Sequence, residues 1–181
     1  MLRKTHKTAV VIIPPDEMWP PIQAIRQKHD RQLRRWMPHI NLIYPFRPKE
    51  EFDVLAEQFK MACRQVTPFE IELARFRFFE HKRESYTIWL DPEPTEPLVR
   101  LQETLRQIVP DCDDVNRFPS GFTPHLSVGQ VKGRARLRDL LERLQTSWEP
   151  LSFAAGQINL IWRGTPPDDI FRVTHVVKLK K

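Results

Sequence analysis

Met37-Pro38-His39-Ile40-Asn41-Leu42-Ile43 and Thr123-Pro124-His125-Leu126-Ser127-Val128-Gly129 are the two stretches on which the reading of this chain turns. Both run Pro-His-aliphatic-polar-aliphatic, and they stand 86 positions apart. Each reads as a short strand. Successive side chains of an extended chain point to opposite faces. His39 and Asn41 therefore share one face, and Ile40 and Leu42 the other. His125 and Ser127 likewise share a face, opposite Leu126 and Val128. The aliphatic face belongs in a core under helices. The open face then carries one imidazole and one small hydrogen-bonding group in each copy. Gly129 lies two residues further along that open face, where a missing side chain leaves room for a ligand.

Working outward, the order of elements nearly repeats. A strand headed by Pro-His is followed by a helix and two long strands, once over 38–90 and again over 124–179. In the first copy the helix spans 50–66, with apolar residues at 52, 54, 55, 59, 62 and 66 on one side, and Pro68 closes it. Residues 69–79 alternate as a strand but slip phase before Phe76 and Phe78, which marks a bulge. His81-Lys82-Arg83-Glu84 reads as a hairpin turn into a strand over 85–90. A helix over 96–109 and a polar loop over 110–123 lead to the second copy. There a strand over 124–131 precedes a helix over 137–144, one strand over 151–162 and a last strand over 170–179. Ahead of both copies lie a buried strand over 8–13, stopped by Pro14-Pro15, and a helix over 22–33. Hairpins mixed with single helices predict an α+β fold with antiparallel sheets. Duplication predicts a two-lobed, pseudo-symmetric molecule over 1–181. Each lobe is a sheet with helices outside, and the two histidines face each other across a cleft between the lobes.

Composition narrows the setting. At 181 residues the chain fits one domain of two small lobes. Its 17 prolines are spread between apolar runs, so they punctuate turns rather than mark a disordered tail. The net charge of +6 favours an anionic partner without choosing among nucleic acid, nucleotide and membrane headgroup. Basic clusters fall at Arg3, Lys4 and Lys7, at Arg31, Arg34 and Arg35, and at Lys178, Lys180 and Lys181. Cys63 and Cys112 have no CxxC spacing and read as buried or free thiols of a reducing compartment. No apolar run is long enough for a membrane span or a signal-peptide core. The expectation is a soluble, cytoplasmic monomer.

A lone strand histidine is more often structural than catalytic. Two in matched contexts of a repeat favour catalysis, whereas His6, His29, His81 and His175 carry no such pattern. These residues resemble the 2H phosphoesterase superfamily, which includes 2′-5′ RNA ligase-like proteins and cyclic phosphodiesterases. Its signature is a doubled His-aliphatic-Thr/Ser-aliphatic on strands of a two-lobed α+β fold. His125-Leu126-Ser127-Val128 fits fully, while His39-Ile40-Asn41-Leu42 has Asn in place of Thr or Ser. The resemblance implies that His39 and His125 are the catalytic pair and that Asn41 and Ser127 hold the phosphate. Some ligase-like relatives carry Arg five residues after the second His, where this chain has Gln130.

Phosphodiester cleavage needs one proton removed from the nucleophile and one given to the leaving oxygen. An unperturbed imidazole titrates near ~6.5, so one histidine can be neutral and the other charged. Polar neighbours would stabilise the non-bridging oxygens. No cofactor or metal is expected: the sequence holds no HExxH, metal-spaced carboxylates or P-loop. The expected substrates are RNA or nucleotides with a 2′,3′-cyclic phosphate, opened to a 2′-phosphate as the resemblance implies, or with a 2′-5′ linkage. This is RNA end processing. Tyr44, Phe46, Trp162 and Arg163 are the candidates for base contacts, with Arg34, Arg35 and Arg47 for backbone attraction. Two other readings are a non-catalytic RNA- or nucleotide-binding module, favoured by Asn41, and a metal-dependent hydrolase.

Overall fold

The β-branched run near the N-terminus forms β1 (Thr8–Ile12), buried along its whole length. In the computed structural model, which describes residues 3–117 and 121–180, two sheets form around it and its counterpart. Lys181 of the terminal basic cluster and residues 118–120 of the long loop lie outside the described residues. After β1 come α1 (Trp19–His29), β2 (Ile40–Ile43), α2 (Phe52–Cys63), β3 (Phe69–His81) and β4 (Ser85–Glu93). Then follow α3 (Thr95–Arg106), β5 (Leu126–Lys132), α4 (Arg134–Ser147), β6 (Leu151–Ala155), β7 (Gln157–Trp162) and β8 (Arg172–Lys178). One sheet has the order β2-β1-β7-β8 and the other β5-β4-β3-β6, with every pairing antiparallel.

The α+β class, the two-lobed plan and the element order agree with the sequence reading, and so does the phase slip in β3. The β3–β4 register shifts between Leu73 and Arg75. The stretch 151–162 departs from it. It is two strands broken at Gly156, and the chain changes sheets there, with β6 pairing to β3 and β7 to β1. A mostly apolar stretch reads as one strand when its partners are invisible.

The repeat also begins earlier than the Pro-His heads. β2 sits beside β1, and β5 beside β4. The matching unit is therefore strand, helix, His strand, helix, starting at β1 and again at β4. The helices cross over symmetrically: α1 packs on β5, and α3 on β2, so each touches the other sheet's His strand. The long hairpins are exchanged too, since β3–β4 pairs with β5 while β7–β8 belongs with β2.

Ile40, Leu42, Leu126 and Val128 are fully buried in the main core, as the alternation requires. Val10 and Ile12 of β1 join that core. Ala9 and Val11 face the other way, into a small cluster with Ile161 and Phe171. Against this cluster pack Trp36, Met37 and Tyr44, which builds a firm floor on the open side of the sheet. Cys63 and Cys112 are buried and unbridged, and burial pushes each thiol up to about 11. Among the described residues no helix is long and apolar enough to cross a membrane.

Candidate active site

β2 and β5 are the edge strands of their sheets and lie against each other. Their open faces line one cavity of about 710 Å³ that holds His39, Asn41, His125 and Ser127. The two imidazoles are set in the same way. Nδ1 of His39 donates to the Met37 carbonyl at 2.7 Å, and Nδ1 of His125 to the Thr123 carbonyl at 2.8 Å. A carbonyl only accepts, so each Nδ1 carries the hydrogen and each Nε2 keeps its lone pair. The shared bond to the residue two positions upstream is the repeat expressed in chemistry.

The surroundings differ. His39 stacks on Trp36 with ring centroids 4.4 Å apart and 14° between planes. His125 meets Phe79 edge-on at 4.9 Å. Asn41 donates through Nδ2 to Nε2 of His39 at 3.1 Å, and its Oδ1 is buried with no partner. Burial pushes His39 down to about 4, helped by the nearby Arg26 and His125 and opposed by its carbonyl bond. Burial also lowers His125. The free site therefore holds two neutral imidazoles at neutral pH, not the mixed pair expected from unperturbed values.

Several lining residues gave no sequence signal. Arg26, 2% exposed, donates to Asp30 and Gln23, and through Nη2 to the Trp36 carbonyl at 2.9 Å. Asp30 in turn accepts from Gln130 at 3.2 Å. This chain of bonds runs from the ring under His39 to β5, whose cleft face carries Gln130, Ser127 and His125. Trp36 and Arg26 sit in an ordinary polar segment of sequence, and only the tertiary packing shows them at the site.

The structure brings Tyr44 and Arg163 to the cavity with the histidines. It does not bring Phe46 or Trp162. Phe46 is fully buried among Phe52 and Phe59, because it continues on the core side beyond β2. Trp162 lies under the Lys49 ammonium in a neighbouring groove. Arg35 also lines the cavity, though it and Arg34 are both paired with Asp169. Arg47 is buried and paired with Asp111. The space at Gly129 is not for a ligand: a Cβ there would stand 2.5 Å from Cβ of His29, so the missing side chain admits the end of α1.

A family model described as the 2′-5′ RNA ligase superfamily matches residues 14–167. Among solved structures, TT0787 of Thermus thermophilus is similar with a TM-score of 0.64 at 18% identity, over 96% of this chain and 97% of that one. E. coli LigT in its apo form gives 0.60 at 17% identity, over 99% and 100%. E. coli LigT complexed with 3′-AMP gives 0.58 at 16% identity, also over 99% and 100%. These likenesses concern the fold. No curated protein matches the chain.

Proposed function

The chain belongs to the 2′-5′ RNA ligase superfamily, a superfamily of phosphoesterases, and on that premise we propose that His39 and His125 are the general acid and base of a phosphodiesterase acting on RNA-type phosphate ends. The observation that carries this reading is the pair of like-set imidazoles in one cavity, each with Nε2 as its unprotonated nitrogen. Such a pair serves in-line chemistry at phosphorus. One Nε2 takes a proton from the attacking water, and the other ring gives one to the departing ribose oxygen.

A neutral pair must first gain a proton. The entering phosphate is an anion in a partly dry cavity, and it favours the charged form of an adjacent imidazole. Asn41 then turns its amide hydrogen from Nε2 of His39 to a non-bridging oxygen, with Ser127 donating from the other strand. Tyr44 and Arg163 border the space left for the nucleoside. The substrate is a 2′,3′-cyclic phosphate opened to a 2′-phosphate, or a 2′-5′ linkage. E. coli LigT, similar in fold, has been solved in complex with 3′-AMP, which supports a nucleotide-type substrate. An acid–base pair of this kind needs no metal for turnover.

The test is an end-group assay on short RNAs ending in a 2′,3′-cyclic phosphate, or containing one 2′-5′ linkage, in excess chelator. Opening of either substrate with chelator present is expected. Inertness toward both overturns the reading, and activity lost to chelator overturns its metal independence.

A further inference from the structure

We infer that the groove beside the cleft is a second anion site, which holds the strand flanking the reacting phosphate, so that the preferred substrate is an oligonucleotide rather than a single nucleotide. The inference rests on the phosphoesterase reading of the cleft and extends it. The groove, of about 360 Å³, is built where β1 begins, where β7 ends and where the chain turns into α2, with Lys7, Lys49, Glu50, Trp162 and Arg163 on its walls. Arg163 lines both this groove and the histidine cavity, so the two are contiguous through one guanidinium.

The cations of this groove are left open. Of their neighbours in the chain, Lys4 is matched by Asp114 and Arg47 by Asp111. Among the described residues Lys7, Lys49 and Arg163 have no carboxylate within ion-pair distance. Lys49 lies 4.1 Å over the Trp162 ring, which places its ammonium without neutralising it. Arg163 makes one long bond, to the Gly164 carbonyl at 3.4 Å, and its Nε is buried with no acceptor. A buried donor left unsatisfied is costly, and a phosphate oxygen is an acceptor whose geometry a guanidinium matches. Glu50 is the sole acid on the walls. Unmatched cations and an orphaned donor, continuous with the cavity of the reacting phosphate, are what a neighbouring phosphodiester requires.

The test compares the wild-type chain with Lys7→Ala/Lys49→Ala, which leaves the histidine cavity and Arg163 untouched. A nucleoside 2′,3′-cyclic phosphate and a trinucleotide ending in one are assayed over a range of salt. Binding of a 3′-phosphorylated trinucleotide is measured by titration in parallel. The variant is expected to keep wild-type kinetics on the mononucleotide. On the trinucleotide kcat/KM should fall about 10-fold and its salt dependence should flatten. Equal losses on both substrates, or no loss on the trinucleotide, overturn the inference. If the wild-type chain turns over neither substrate, the catalytic reading fails. The titration then decides the groove alone: weaker trinucleotide binding by the variant supports it, and equal binding overturns it.

Discussion

His39 and His125 are held by the same bond to the same backbone position, yet their outer neighbours differ. His39 lies flat on Trp36 and accepts from Asn41, while His125 has Phe79 at 4.9 Å and Trp89 at 5.9 Å, both in edge contact. A hydrogen bond to the lone pair of Nε2 favours the neutral ring, which adds to the effect of burial. Titration of the free protein followed by NMR should place His39 near 4. In Asn41→Ala the midpoint should rise, because the donor to the neutral form is gone. A midpoint unmoved by that substitution would remove Asn41 from the proton inventory of the site. The matched histidines, Asn41 and Ser127 were legible because period-two alternation and a doubled motif are local patterns. Phe79 was not, because its contact with His125 joins segments far apart in the chain, and Trp36 and Arg26 were not, because they stand in a polar segment with no periodic pattern.

At the scale of elements, the close approach of α1 to β5 is what joins the two halves at the cleft. Gly129 permits it, since a Cβ there would meet His29 at 2.5 Å. Gly129→Ala should therefore cost about 1–3 kcal/mol, as overpacking does. It should also slow turnover by shifting β5, measured as a lower denaturation midpoint together with a lower kcat. Full stability in this variant would show that the helix end yields freely. Element order, helix faces and the β3 bulge were readable from apolar spacing. The split of 151–162 into β6 and β7 was not, because Gly156 alone marks a local break and only the pairing to β3 and β1 shows the chain changing sheets. The true frame of the repeat is hidden for a related reason. β1 and β4 match by position in their sheets, not by any shared residues.

For the molecule as a whole, the lowered histidines tie stability to pH. The unfolded chain binds protons at His39 below about 6.5, and the folded chain only near about 4. Protonation in that window favours unfolding, so this stability is present above 6.5 and is lost as pH falls toward 4. The loss is about 3 kcal/mol for His39. Urea denaturation of wild type and His39→Gln at pH 7 and pH 4.5 should show the variant losing less stability between the two; equal losses would contradict a buried neutral ring. The most direct test of the whole account is the single-turnover rate on a terminal 2′,3′-cyclic phosphate for wild type, His39→Ala, His125→Ala and the double variant, each checked for folding. Two rings serving one phosphorus act as a unit, so each single variant should lose roughly 10²–10⁴-fold or more, and the double little beyond that. A folded single variant that keeps the wild-type rate would contradict it.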